Sequence, residues 1–188
     1  MEEQINITYG LTAIQELKAV LDSKQYSSIF ILVDSNTEKH CLQGFLEHTA
    51  IVPTAVQTMP AGEENKNLTS CQKLWEELSA EGADRNSVLI NLGGGVVTDL
   101  GGFVACTFKR GIDFDNIPTS LLAMVDASVG GKTGIDLGAL KNQIGIIQEP
   151  QGVIIAAEWL KTLAHEELRS GFAEMLKHGL IANPDYWE

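Results

Sequence analysis

The stretch Asn91-Leu-Gly-Gly-Gly-Val-Val-Thr-Asp99, extended by Leu100-Gly101-Gly102, is the strongest fold signal in the sequence. The apolar residues 88–92 predict a fully buried strand, and the apolar positions of residues 96–108 recur at helical spacing. The glycines therefore lie on a strand-to-helix turn, where backbone N–H groups and the helix dipole favour an anion. Because glycine lets phosphates approach the backbone closely, the stretch predicts a nucleotide-binding loop.

A second interpretation of this turn stays open at this point. The spacing Gly93-x-Gly95-x-x-Thr98 departs from the dinucleotide-binding fingerprint at its last position, where Gly or Ala is expected. The loop also lies in the middle of the chain, whereas that fingerprint opens the first βα turn. A tight turn in which Gly101 and Gly102 serve only close packing of helix on strand would have the same sequence.

Composition indicates a globular domain with an acidic surface. The 188 residues are 44% hydrophobic and carry a formal net charge of −12, which argues against nucleic acid or an anionic membrane as a partner. Cys41, Cys71 and Cys106 form no C-x-x-C pair and predict buried thiols in a reducing compartment, the cytoplasm. We expect no signal peptide at Met1-Glu2-Glu3-Gln4 and no membrane span.

Strands and helices alternate along the chain. The predicted strands are residues 4–8, 29–33, 54–59, 88–92 and 114–118, with short ones at 144–147 and 153–155. The predicted helices are residues 13–21, 38–46, 68–78, 96–108 and, at the end, 164–181. This alternation predicts an α/β, Rossmann-like fold with a mostly parallel sheet flanked by helices.

Polar residues after the predicted strands are candidates for ligand binding, because ligands of parallel sheets gather at the carboxyl ends of the strands. Asp34 and Asn36 follow the second predicted strand, where a carboxylate can accept hydrogen bonds from ribose hydroxyls. A helix N-cap explains Asp34 equally well. Glu63 and Lys66 follow the third predicted strand, and a solvated loop pair is the simpler explanation for them.

A second glycine-rich stretch, Asp126-Ala-Ser-Val-Gly-Gly-Lys-Thr-Gly134, approaches a P-loop but begins with an acid instead of a glycine. A carboxylate aimed at phosphates would repel them, so a nucleotide triphosphatase is disfavoured. Asp126 as an acceptor and Lys132 as a cation instead predict a pocket for a polyhydroxylated anion. Lys141-Asn142 suits phosphate or carboxylate oxygens, although a surface turn explains this pair as well.

The final predicted helix carries Glu174, Lys177 and His178 on one side. Glu174 and His178 have the types and spacing of two metal ligands. Since a catalytic zinc site needs three protein ligands, a pair on the helix surface is the favoured interpretation.

Taken together and in this order, several stretches resemble the 3-dehydroquinate synthase family. They are residues 93–103, Arg110-Gly111, residues 117–123, residues 125–134, Lys141-Asn142 and residues 171–177. The resemblance extends from Asp34 to the end of the sequence. Two positions depart from the family pattern, with Thr98 in place of Gly and Ser120 in place of a second Thr.

The resemblance implies that residues 1–188 form an NAD-binding domain, in which residues 164–188 begin a further helical domain that lies beyond this sequence. That domain would supply two histidine ligands of the metal, which match none of His40, His48, His165 and His178. We therefore expect the chain to be inactive by itself and to bind NAD weakly, if at all.

The resemblance also implies a role for each candidate residue. The residues of the NAD site would be Asp34, Asn36, Glu63, Lys66, Gly94, Gly95, Val96, Val97, Thr98, Asp99, Thr119, Ser120, Lys132, Lys141, Trp159 and Thr162. The catalytic and substrate-binding residues would be Asp126, Lys132, Asn142, Lys177 and Arg110, the last reaching the phosphate in the partner subunit of a homodimer. Glu174 would be a ligand of a divalent metal, zinc or cobalt, and His178 a bystander.

The family converts the sugar phosphate DAHP to 3-dehydroquinate in the shikimate pathway of aromatic amino acid biosynthesis. The resemblance implies transient oxidation of a substrate hydroxyl by NAD, elimination of phosphate, re-reduction and an intramolecular aldol closure. The alternatives are a related cyclase such as 2-deoxy-scyllo-inosose synthase and a non-catalytic binding module. Retention of the charged candidate residues together speaks against the module.

Overall fold

The computed structural model describes residues 6–182. The strands are β1 (Ile7–Tyr9), β2 (Ile29–Asp34), β3 (Ala55–Met59), β4 (Val88–Gly93), β5 (Asp113–Pro118), β6 (Lys132–Leu137), β7 (Leu140–Ile147) and β8 (Gly152–Ile155). The helices are α1 (Gly10–Lys24), α2 (Ser35–Thr37), α3 (Gln43–Thr49), α4 (Leu68–Ala80), α5 (Gly95–Thr107) and α6 (His165–Ala182). Two π-helical turns, Glu38–Leu42 and Ala123–Ala127, and three 3₁₀ turns, Glu63–Asn65, Phe108–Arg110 and Ala157–Thr162, complete the described elements.

Six strands form one parallel sheet in the order β1-β8-β5-β4-β2-β3. From β2 the chain moves outward to β3 and then returns to place β4 on the other side of β2. In open α/β sheets such a switch point opens a crevice at the carboxyl ends of the strands. The prediction of a Rossmann-like, mostly parallel sheet flanked by helices is confirmed.

The sheet is buried on both faces because β2 and β4 are apolar along most of their length. Phe30 and Leu32 belong to the core shared with α4 and α5, and Ile31 and Val33 to the core shared with α1 and α3. All four side chains are fully buried. Burial of one such side chain contributes about 1.5–3 kcal/mol relative to its exposure, so these layers hold the crevice-forming strands in place.

A separate antiparallel hairpin, β6–β7, lies outside the main sheet. The sequence predicted only part of β7 and missed β6. The stretch that approaches a P-loop leads into strand β6 and not into a helix, which contradicts a P-loop at this position. The hairpin packs on α5, where a Cβ atom at Gly102 would stand 2.5 Å from Thr133 Cγ2.

Other boundaries differ from the predictions by a few residues. The predicted strand 4–8 lies partly outside the described residues, and β1 extends to Tyr9. The final predicted helix is observed as α6. Among residues 6–182, none of the helices combines the length and apolar character needed to cross a membrane.

Candidate active site

The loops after β2, β3, β4 and β5 meet at one edge of the sheet. Asp34 ends β2, and its Oδ1 accepts hydrogen bonds from the backbone N–H groups of Asn36 (2.9 Å) and Thr37 (2.8 Å). Asp34 is therefore the N-cap of α2, and these two bonds leave its Oδ2 uncommitted. On the neighbouring strands, the Thr119 N–H donates to the Gly93 carbonyl at 2.9 Å. This bond joins the loop after β5 to residues 93–95, the glycine turn.

Helix α5 begins at the glycine turn, where the backbone lies close to residues of neighbouring loops. A Cβ atom at Gly94 would stand 3.3 Å from Ser120 Oγ, and one at Gly95 would stand 3.3 Å from Ala127 Cβ. The first N–H groups of α5 lack helical partners, as at every helix start. The side chains of Val97 and Thr98 are fully buried, so only their backbone is available to a ligand.

The packing interpretation of the later glycines is also observed. A Cβ atom at Gly101 would stand 2.0 Å from Asn91 Oδ1, closer than atoms can approach. Asn91 lies on β4 and donates from Nδ2 to Asn116 Oδ1 on β5 at 3.0 Å. Gly101 therefore lets α5 lie on a buried amide pair, while Gly94 and Gly95 face the crevice loops.

Lys66, in the loop after β3, is buried, with a side chain only 4% exposed. Its Nζ lies 2.5 Å from Asp99 Oδ2 and 2.6 Å from Asn142 Oδ1. Burial raises the pKa of Asp99, and the Lys66 ammonium opposes this effect. The interpretation of Glu63 and Lys66 as a solvated pair is therefore wrong, because Lys66 joins α5 to β7 and Glu63 instead pairs with Lys141 at 3.2 Å.

A cleft of about 430 Å³ lies between the hairpin and the π-helical turn Ala123–Ala127. Asp99, Asp126, Lys132 and Asn142 line it, so the structure brings together four predicted site residues from four segments of the chain. Lys132 Nζ stands 3.6 Å from Asp126 Oδ1. Acceptors and cations side by side suit a ligand that has both hydroxyl groups and negative charge.

Helix α6 brings a second group of polar side chains to the same turn. One ligand atom from each of Asp126, Glu174 and His178 lies within 4.8 Å of the others. Glu174 Oε1 is buried and contacts the Lys177 ammonium. His178 Nε2 is buried 3.6 Å from the same oxygen and has no hydrogen-bond partner among residues 6–182. Two carboxylates and an imidazole fit zinc or cobalt, and His178 lies within this group instead of apart from it.

Lys177 forms an ion pair with Glu174 on the same helix. The hydrogen bond to the Glu174 carboxylate and its charge raise the pKa of Lys177. The predicted catalytic lysine therefore remains a cation beside the candidate metal ligands.

Three further predicted residues, Thr162, Trp159 and Arg110, do not line the cleft. Thr162 contacts the buried Cys41 thiol, whose pKa is raised by burial and by the charge of Asp34 and lowered by Thr162. The Trp159 side chain is buried in the core shared with α1 and α3. Arg110 follows the C-terminal end of α5, about 20 Å along the helix from the glycine turn, and does not line the cleft of its own chain.

Sequence reasoning missed Asp136, which lies on β6. Its backbone N–H donates to the Lys66 carbonyl at 2.9 Å, and its Oδ1 accepts from the Asn142 N–H at 2.7 Å. No motif marks this aspartate. A signal would have required the register of the hairpin, which the sequence did not reveal.

Comparison with known proteins identifies the family of the chain. Residues 56–170 match the family model described as 3-dehydroquinate synthase N-terminal. The chain is 48% identical over 168 residues to 3-dehydroquinate synthase from Parabacteroides distasonis, covering 89% of this chain and 48% of the relative. It is 42% identical over 175 residues to the enzyme of the same name from Acetivibrio thermocellus, covering 91% of this chain and 48% of that relative. The chain thus spans about half the length of the curated relatives it matches.

Solved structures share the fold. A structure of 2-deoxy-scyllo-inosose synthase with carbaglucose-6-phosphate, NAD⁺ and Co²⁺ has a TM-score of 0.85 at 24% identity, covering 96% of this chain and 49% of that one. ValA, a 2-epi-5-epi-valiolone synthase from Streptomyces hygroscopicus with NAD⁺ and Zn²⁺ bound, has a TM-score of 0.82 at 26% identity, covering 98% and 52%. Since the family model matches more than half of its residues, the chain belongs to the 3-dehydroquinate synthase family, in the part that the model describes as N-terminal.

Proposed function

We propose that this chain is the NAD-binding half of a 3-dehydroquinate synthase, which converts DAHP to 3-dehydroquinate and phosphate. The observation that carries the proposal is the convergence of Asp99, Asp126, Lys132 and Asn142 on one cleft beside the glycine turn. Relatives also support the proposal, because the chain is 48% identical to a protein named 3-dehydroquinate synthase.

Each face of the crevice has a separate task in this proposal. The N–H groups of Gly94, Gly95 and Val96 bind the pyrophosphate of NAD at the start of α5. Asp34 accepts hydrogen bonds from a ribose through the Oδ2 that its N-cap bonds leave uncommitted. Asp99, held by Lys66, contacts the nicotinamide half.

The hairpin and α6 bind the sugar phosphate. Lys132, Asn142 and Lys177 hold its phosphate, and Asp126 accepts a hydrogen bond from a hydroxyl. Lys132 stabilises the charge that develops on the phosphate as it leaves, and the fixed orientation of the substrate carries much of the catalysis. In a homodimer Arg110 binds the phosphate in the partner subunit. The position of Arg110 away from the cleft of its own chain supports this role.

Glu174 would hold a divalent metal, and Asp126 and His178 are the further donors that this chain offers within reach of it. When bound, NAD supplies transient oxidation of a substrate hydroxyl, and the metal polarises that hydroxyl. Zinc and cobalt both suit this donor set, and the three free cysteines suit a cytoplasmic enzyme.

A related cyclase such as 2-deoxy-scyllo-inosose synthase is the second candidate, favoured by the fold shared with that enzyme and with ValA. A chimera separates the two, with residues 1–188 fused to the C-terminal half of the Parabacteroides distasonis relative. We expect phosphate release from DAHP with NAD and zinc, none from glucose 6-phosphate, and none from DAHP after Lys132→Met. Release from glucose 6-phosphate alone would favour the related cyclase, and a folded chimera that releases phosphate from neither would contradict both.

A further inference from the structure

We propose that Asp136, acting together with Lys66, is a positioning residue that fixes the amide of Asn142 so that its N–H₂ group faces the cleft. The site then presents a hydrogen-bond donor to an anionic ligand at this position. Only the identification of that anion as a phosphate rests on the proposed function.

Three hydrogen bonds join these residues in a closed ring. Lys66 Nζ donates to Asn142 Oδ1 at 2.6 Å, and the Asn142 N–H donates to Asp136 Oδ1 at 2.7 Å. The Asp136 N–H donates to the Lys66 carbonyl at 2.9 Å, which closes the ring. The loop after β3, strand β6 and strand β7 are thus fastened to one another at the side chain that lines the cleft.

Asn142 needs this support because of its backbone. Its φ is +53°, in the left-handed region, although it lies within a strand. Asn adopts that region more readily than most residues, but inside an exposed strand the conformation persists only where its surroundings hold it. The Asp136 carboxylate supplies such a restraint by accepting the Asn142 N–H.

The register of the hairpin explains why Asp136 is available. Ile135 pairs with Ile144, but Leu137 pairs with Leu140, so the register shifts at Asp136. Irregularities of this kind re-aim side chains and occur next to active sites. Here the shift brings Asp136 to Lys66 and Asn142, away from regular cross-strand pairing.

Lys66 determines which end of the Asn142 amide faces the cleft. An ammonium group has three donors and no acceptor, so the atom that it meets must be the amide oxygen. Because Lys66 is buried and also held by Asp99, it does not turn away to follow a ligand. The Nδ2 donors of Asn142 are therefore the atoms left for the cleft, where an acceptor such as a phosphate oxygen complements them.

The test is a titration of inorganic phosphate into the 188-residue chain, followed by the NMR signals of the Asn142 backbone N–H and side-chain N–H₂. We expect Asp136→Ala to weaken phosphate affinity by about tenfold and to speed exchange of the Asn142 backbone amide. Asp136→Asn retains an acceptor at the same place, so we expect its affinity to stay within about twofold of the parent. Asp22→Ala, at an exposed acid on α1, is the matched control and leaves both readouts unchanged.

Asn142→Asp is the second variant, because it keeps an oxygen for Lys66 but removes the donors. We expect it to remain folded and to lose phosphate binding. Unchanged phosphate affinity in Asp136→Ala or in Asn142→Asp would overturn the proposal, as would side-chain N–H₂ signals of Asn142 that do not respond to phosphate. No readout requires NAD, a metal or turnover, so failure of the synthase assay and failure of this proposal are distinguishable.

Discussion

Gly171 of α6 lies against the backbone of Leu122 so closely that a Cβ atom would stand 2.6 Å from the Leu122 nitrogen. Leu122 directly precedes the π-helical turn that carries Asp126. The absence of a side chain at Gly171 therefore lets α6 bring Glu174 and His178 to Asp126. The candidate metal group depends on this one close approach between a helix and a turn.

Replacement of Gly171 by alanine should separate these elements. We expect Gly171→Ala to lower the free energy of unfolding by about 1–3 kcal/mol, because the new methyl group meets backbone that cannot move without displacing the turn. Denaturant unfolding measures this change. Gly44→Ala is the matched control, since its Cβ would meet only Trp159 Cζ3 at 3.7 Å and alanine favours the helix by up to about 1 kcal/mol. Equal losses in both variants would contradict the packing argument.

The candidate metal group predicts binding of a divalent ion by the chain itself. Titration with Co²⁺, followed by its visible absorption, should give saturable binding because Asp126, Glu174 and His178 provide three ligand atoms within reach of one another. We expect Glu174→Gln or His178→Gln to weaken binding at least tenfold. Glu166→Gln, in the first turn of the same helix, should have no effect. Equal Co²⁺ affinity in all these proteins would contradict the assignment.

The buried Lys66–Asp99 pair predicts a large loss of stability when one partner is removed. Lys66→Met leaves the Asp99 carboxylate buried without its cation, which costs about 3–5 kcal/mol in comparable pairs. Addition of Asp99→Asn should restore part of this loss, because the uncompensated charge is removed. Lys73→Met, at an exposed lysine 3.4 Å from Glu77, is the control and should change stability by less than about 0.5 kcal/mol. Urea unfolding of the parent, the two single variants and the double variant measures these changes in the free energy of unfolding.

Asp115 predicts a pH dependence of stability. Burial raises its pKa from 3.8 to about 6, although Lys24 opposes this shift. Between pH 4 and pH 6 the folded state therefore binds more protons than the unfolded state, so stability falls as pH rises through this window. The raised pKa corresponds to a loss of about 3 kcal/mol in the free energy of unfolding at pH 7. We expect Asp115→Asn to recover this loss at pH 7 and to have no such effect at pH 3.5.

The control for this effect is Asp22→Asn, which removes an exposed carboxylate on α1. Unfolding free energies of the parent and both variants, measured between pH 3.5 and pH 7, test the sign directly. An equal difference between parent and Asp115→Asn at every pH would show that the carboxyl does not titrate in this window.

The sequence predicted the parts of the molecule that depend on local pattern. Predominantly apolar strands such as β2 and β4, and the glycines between β4 and α5, signal a parallel sheet and its crevice without any tertiary information. The order of the motifs identified the family, and the family model confirms it.

What the sequence did not predict depends on contacts between distant segments. Lys66 looked like a surface lysine because its partners, Asp99 and Asn142, lie 33 and 76 positions further along the chain. Strand β6 was missed because glycines and charged residues around Lys132 carry little strand signal, while its pairing with β7 and packing on α5 supply its stability. The sequence indicated close packing at Gly101, but not that its partner is the Asn91 side chain.

NMR-monitored titration of NAD into the chain tests whether the crevice at β2 and β4 binds NAD. We predict saturable shifts of the amide signals of Gly94, Gly95 and Val96, together with those of Asp34 and Asn36, even where affinity is weak. We expect the folded Lys66→Met variant to bind NAD less tightly than the parent, because Asp99 then loses its fixed position. Glycine-turn amides that do not respond to NAD, or respond without saturation, both in the folded chain and in its fusion to the C-terminal half of the Parabacteroides distasonis relative, would contradict the assignment.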